Sequence, residues 1–235
     1  ENQMTVQRVW TPAGTLEVDG LGYTPVGRFR RDGAVVDPAP IAELLRAGLL
    51  CNDAQLAERD GTVTAVGDPT EAALIVAAAK AGLRHDAEQA RAPRLREVPF
   101  HSSRMRMTTV HRAGPGQVAY TKGALEAVLP RTTATAELRA QAQAAAAAMA
   151  HEGLRVLAVA RRTLGPDDPD LMDADAVERD LELLGLVGMA DPPRPEVADA
   201  VRRCRRAGIR IIMITGDNGA TATASERNTP TPTDC

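Results

Sequence analysis

Lysine is rare in this 235-residue chain: Lys80 and Lys122 are the two, among 28 basic residues, so arginine is the default cation. Lys122 therefore asks for a reason. With Gly123 after it to allow close backbone approach, it puts a compact ammonium at a strand end where a ligand could sit, against the plainer reading of a surface lysine. Phe100 is one of two phenylalanines and stands at the end of an extended run, a place where a lone aromatic usually packs into a core. Glu71 follows Asp68, Pro69 and Thr70 at the join of a β-like run and an apolar helical repeat. There Asp68 fits the N-cap, Pro69 the first helical position and Glu71 the N3 position, which makes a capping box. Other chemistries lack their residues. No Walker A loop, HExxH or Gly-x-Ser-x-Gly elbow occurs, and His85, His101, His111 and His151 are isolated. Gly114 and Gly116 read as a hairpin turn, because a phosphate-cradling loop needs a helix N-terminus behind it.

A resemblance assigns these residues finer roles. The run Gly67-Asp68-Pro69-Thr70-Glu71-Ala72-Ala73-Leu74 resembles the signature of the nucleotide-binding domain of cation-transporting P-type ATPases, and four more segments match that family in order. Residues 1–6 are similar to the segment just after the phosphorylated aspartate, and Thr121-Lys122-Gly123-Ala124 to the lysine motif of the nucleotide pocket. Asp191-Pro192-Pro193-Arg194 resembles the hinge back into the phosphorylation domain, and Thr215-Gly216-Asp217 a phosphate-site loop with a catalytic part. The resemblance implies that Glu71 contacts the adenine end of ATP, Phe100 stacks on adenine, and Lys122 and Gly123 lie in the adenosine pocket. It puts Arg104 and Arg155 near the phosphates, with a surface or ion-pair arginine as the alternative for Arg155. Where the family often has a lysine after the first of these arginines, this chain has Met105, so Arg106 is a candidate replacement. The implied cofactors are ATP and the Mg2+ that travels with it.

The elements that must position these residues can be read from periodicity and turn chemistry. Residues 5–10 and 15–18 read as a hairpin, 34–36 as a short strand, and Ile41, Leu44, Leu45 and Leu49 as one face of a helix ending near Cys51. Residues 62–66 are extended, and Leu74, Ile75, Ala78 and Ala79 mark the helix after the Glu71 corner, with Gly82 as its C-cap. A short polar helix at 86–91, strands at 95–99, 105–111 and 117–121, and helices at 124–129 and 136–151 come next. Residues 154–161 form a strand. The Asp-rich stretch 165–180 reads as a connection and lacks the spacing of a calcium loop. Residues 183–189 and 209–214 are continuous apolar runs around a helix at 197–207, the pattern of buried parallel strands in a βαβ unit. After Ala224 nothing apolar remains to bury.

Composition narrows the partners. A formal net charge of -3, a pI near 5.9 and 2% aromatic residues give no footprint for nucleic acid. No apolar run approaches the roughly 18 residues of a membrane span, so a soluble chain is expected. Cys51, Cys204 and Cys235 form no framework and read as reduced thiols.

The expected fold is α+β, an antiparallel sheet with flanking helices, followed by an incomplete α/β segment, a Rossmann-like βαβ unit of haloacid-dehalogenase type. Residues 1–6 would end one segment of the phosphorylation domain, 7–165 form the nucleotide-binding domain, 166–180 a linker, 181–224 a partial phosphorylation domain and 225–235 a disordered tail. Such a fragment would bind ATP at the cytoplasmic face of a membrane. It would lack the aspartate that receives the phosphoryl group and would work with phosphorylation, actuator and transmembrane domains. The rivals are a haloacid-dehalogenase-type phosphatase, resting on Thr215, Gly216 and Asp217, and a non-catalytic interaction module.

Overall fold

Short alternating runs separated by glycine turns become strands that pair with their sequence neighbours in the computed structural model. It describes residues 3–59, 62–165, 173–191, 200, 202–204 and 206–209. Strands β1 (Thr5–Thr11), β2 (Gly14–Val18), β3 (Phe29–Arg31) and β4 (Ala34–Val36) form one meander. Helix α1 (Ala42–Leu50), the hairpin of β5 (Gln55–Arg59) and β6 (Thr62–Val66), helix α2 (Pro69–Lys80) and helix α3 (His85–Arg91) come next. A second meander starts with β7 (Arg94–His101), β8 (Arg106–Ala113) and β9 (Gly116–Gly123). Short α4 (Leu125–Val128) and long α5 (Ala136–His151) lead to β10 (Arg155–Leu164), then α6 (Ala174–Val177) and β11 (Glu182–Ala190).

Among the described residues nine strands make one antiparallel sheet in the order β4-β3-β2-β1-β11-β10-β9-β8-β7, and β5 and β6 stand apart from it. Helices cover both faces. Leu44, Leu45 and Leu49 of α1 and Leu74 and Ile75 of α2 pack with Val9, Val118, Tyr120, Val159 and Val187 of one sheet face. Met149 of α5 and Val128 of α4 pack with Trp10, Ala158 and Leu186 on the other. The alanines of α5 let that helix lie close, and its Thr135 N-cap accepts from the Leu138 N–H at 3.2 Å.

Three expectations are corrected here. The run 183–189 is not a parallel strand of a separate βαβ unit, since β11 pairs antiparallel with both β1 and β10 in the middle of the sheet. A central strand covered by helix layers on both faces is apolar on both faces, so its sequence looks the same as that of a buried parallel strand. The boundary expected at 165 to 181 therefore does not end the sheet, and Thr5 and Val6, assigned to a neighbouring domain, belong to β1. Part of the expected connection is also ordered, because α6 lies within it. Of the run 209–214 only Ile209 is described, and the tail from 225 lies outside the described residues, as do Thr215, Gly216 and Asp217. Strands β3 and β5 were not expected from the sequence.

Gly185 shows how tightly β11 is held. Its φ is +152°, and a Cβ there would meet the Trp10 carbonyl oxygen at 2.1 Å and Leu44 Cδ1 at 2.7 Å. The register slips beside it, between Val159 and Ala160 of β10, so the glycine sits at a bulge where β1 and α1 press close.

Candidate functional site

The corner between β6 and α2 is built as its residues suggest. Asp68 takes an extended conformation (φ -70°, ψ 131°), its Oδ1 accepts from the Thr70 N–H at 2.8 Å and the Glu71 N–H at 3.4 Å, and Pro69 occupies the first turn. The N-cap is real but the reciprocal half of the box is not used. Glu71 turns its carboxylate away from Asp68: Oε2 accepts from the Asp53 N–H at 3.1 Å and Oε1 from Lys122 Nζ at 2.6 Å. The cause is an opposite charge within reach, which outweighs a neutral backbone donor.

Lys122 faces this corner because of strand alternation. Val118, Tyr120 and Lys122 alternate onto one face of β9, where Val118 and Tyr120 pack with α1 and α2 and Lys122 reaches Glu71 in the first turn of α2. The Lys122 and Glu71 side chains are 8% and 16% exposed, so the pair is largely out of water but opens to a cavity. That cavity, about 640 Å³, is lined by Asp53, Asp68, Thr70 and Glu71 on one side. Phe100, Met105, Met107, Lys122, Gly123 and Ala124 form another wall, and Arg155, Val156 and Leu157 the third. Its volume lies within the range of small-molecule sites. Phe100 at its rim is 62% exposed, which removes the core explanation for this side chain.

Five of the six expected binding residues, Glu71, Phe100, Lys122, Gly123 and Arg155, thus come together. Arg104 does not. It donates from Nη2 to Glu178, a carboxylate with no exposed surface, which also accepts from Arg106 Nε at 2.7 Å and Thr108 Oγ1 at 2.7 Å. This lies on the opposite sheet face, where a buried carboxylate claims both arginines, so Arg106 does not replace the missing phosphate-side charge either. Gly123 has a role other than ligand approach as well. A Cβ there would meet the Met105 carbonyl oxygen at 2.4 Å and Arg106 Cα at 2.7 Å, so the neighbouring strand demands the glycine.

Asp53, Thr70 and Met107 were not named as site residues from the sequence, and Met105 only as the position of a missing lysine; the alternation of β8 alone could have suggested Met107. Cys51 lies beneath the site, fully buried, and burial pushes its thiol pKa up, which keeps it unreactive.

Residues 40–196 match the family described as P-type ATPase, cytoplasmic domain N. The chain belongs to this family. The chain is 41% identical, over 95% of its length, to the cation-transporting ATPase pma1 of Synechocystis sp.. It is 37% identical to a calcium-transporting ATPase of Bacillus subtilis and 43% to a probable cation-transporting ATPase F of Mycobacterium tuberculosis, again over 95% of the chain. The chain spans 26% of the length of each of these relatives. Among the described residues no helix is long and apolar enough to cross a membrane.

Proposed function

We propose that the cavity binds ATP and presents it for phosphoryl transfer to an aspartate outside these 235 residues, within a membrane pump for cations of the calcium or alkali type. Adenine stacks on Phe100, Glu71 accepts from the exocyclic amine, Lys122 lies along the nucleoside, and Arg155 faces the phosphates. The observation that carries this reading is an aromatic ring left 62% exposed at the rim of a cavity that holds a buried lysine paired with a half-buried glutamate. A flat base laid on this ring would cover apolar surface at the mouth of a cavity that also supplies charged partners.

The Mg2+ would be held by the nucleotide's own phosphate oxygens and arrive with it. Thr215, Gly216 and Asp217 would act in the phosphorylation domain. That domain, the actuator and the transmembrane part are the partners, and the cytoplasmic side of the membrane is the place.

A titration with ATP followed by amide shifts is expected to move Phe100, Glu71 and Lys122 first. Phe100→Ala should weaken ATP binding about tenfold or more, because base stacking on an aromatic contributes roughly 1 to 3 kcal/mol. Binding of inorganic triphosphate as tight as that of ATP would sink the stack, and no response to ATP would favour an interaction module.

A further inference from the structure

The loop between α1 and β5 does more than connect them. Asn52 is 3% exposed, and its side chain makes three hydrogen bonds. Nδ2 donates to the Gly48 carbonyl at 3.2 Å and to the Glu71 carbonyl at 2.8 Å, and Oδ1 accepts from the Ala54 N–H at 2.9 Å. One amide thus ties the last turn of α1, the first turn of α2 and its own loop together. The next residue, Asp53, then aims its N–H at Glu71 Oε2. So Glu71 is gripped at its main chain by one residue and at its carboxylate by the next.

Arg94 holds the loop from the other side. Its Nη2 donates to the Asn52 carbonyl and, at 3.3 Å, to that of Leu50, and its Nη1 donates to Asp53 Oδ1 at 2.6 Å and Glu97 Oε2 at 2.9 Å. Two further contacts fix the same stretch to the cavity walls. Cys51 Sγ lies 3.6 Å from the Met107 carbonyl, and a Cβ on Gly67 would come within 3.0 Å of Ala54 Cα. The Asn52 side chain does not line the cavity, whereas Asp53 and Glu71 do.

We propose that residues 51–54 are a positioning segment for the ligand-facing carboxylate, and that Asn52 is the positioning residue through which it acts on Glu71. The inference rests on the reading of the cavity as a nucleotide site. With both the Glu71 carbonyl and its Oε2 held, the carboxylate keeps one orientation before any ligand enters, its Lys122 contact is fixed with it, and no ordering cost remains for binding. Arg94 keeps Asn52 in place and acts one step further back.

The test is a double-mutant cycle between Asn52 and Glu71, with ATP affinity as one readout and the Asp53 amide resonance of the ligand-free chain as the other. Asn52→Ser keeps an acceptor for the Ala54 N–H but cannot reach the Glu71 carbonyl. It should weaken ATP binding about tenfold in the unmutated chain and less than about twofold in a Glu71→Ala background. Equal losses in both backgrounds, or none in either, overturn the proposal. In the absence of ligand, Glu71→Gln should shift the Asp53 amide in the unmutated chain and leave it unmoved after Asn52→Ser; equal shifts in both also overturn it. Should Asn52→Ser fail to fold, Arg94→Lys takes its place with the same expected pattern, since an ammonium cannot serve all the acceptors of the guanidinium fork. If the unmutated chain shows no ATP affinity, the nucleotide reading fails and the amide arm alone decides the positioning role.

Discussion

Lys122 is held by one carboxylate at 2.6 Å and has little contact with water, so its removal has two separable consequences. Lys122→Ala should lower ATP affinity about tenfold or more, by loss of a charged donor to the ligand. It should also lower stability by about 1 to 3 kcal/mol, because Glu71 is left half-buried without its cation. Adding Glu71→Gln should restore most of the stability and none of the affinity, and a melting curve beside a titration separates the two. Lys122 could be picked out in the sequence because lysine is scarce, and the sheet places it in the cavity wall. The partner of Glu71 could not, since a capping box explains the same residue from local spacing alone, and only the sheet brings β9 beside the corner. Arg104 shows the opposite failure: its motif pointed to the phosphates, but a buried carboxylate 74 residues away takes its guanidinium.

His111 adds a pH dependence at the same scale. Its Nδ1 lies 2.9 Å from the Ala92 carbonyl, which can only accept, so Nδ1 carries the proton and Nε2 accepts from Thr109 Oγ1 at 2.8 Å. Burial depresses its pKa, the Ala92 carbonyl works against this, and Arg94 adds to the depression. The folded state thus disfavours the charged ring, the unfolded state binds more protons below about pH 6.5, and stability is full above that value and falls as the pH drops. His85 is shifted the same way, by burial first and then Arg94. Denaturant midpoints between pH 7.5 and 5 should fall toward acid, and His111→Gln should flatten the slope; an unchanged slope would remove His111 as its source.

At the scale of elements, helices with strong caps and hairpins with glycine turns were readable from the sequence, because their signals are local. Helix α2 begins at Pro69, and the β8 to β9 turn falls on Gly114 and its neighbours, as the turn chemistry required. Strand β11 was seen as a strand but given the wrong neighbours, since an apolar run records burial on both faces and not the direction of the strands beside it. Gly185 records the neighbours instead. Gly185→Ala must move either the Trp10 carbonyl or Leu44 and must also hold a positive φ, so a loss of about 2 kcal/mol or more is expected. Equilibrium unfolding measures it. A loss below about 0.5 kcal/mol, the ordinary effect of a surface change, would mean that β11 is not packed between β1 and α1 as described.

At the scale of the molecule, the two meanders run inward from opposite edges and meet at β1 and β11. The first and last strands of the sheet are therefore neighbours, and the Gln3 N–H donates to Asp191 Oδ1 at 3.1 Å. Ends that lie together allow a unit to fold without help from flanking stretches of chain. Residues 3–191 are accordingly expected to fold alone and to match the 235 residues in whatever ATP affinity a titration finds. Ending the chain at residue 180 should have a different effect, although the lost piece is one strand. It exposes the ladder edges of β1 and β10, uncovers Leu44 on one face and Trp10 on the other, and divides the sheet between its two meanders. With an overall stability of some 5 to 15 kcal/mol, a domain does not survive the loss of a central strand buried on both faces. The shorter chain should show no cooperative unfolding, and the longer one a single transition with slow amide exchange in β1, β10 and β11. A cooperative transition in the chain ended at 180 would return β11 to the neighbouring domain and restore the boundary that the apolar run first suggested.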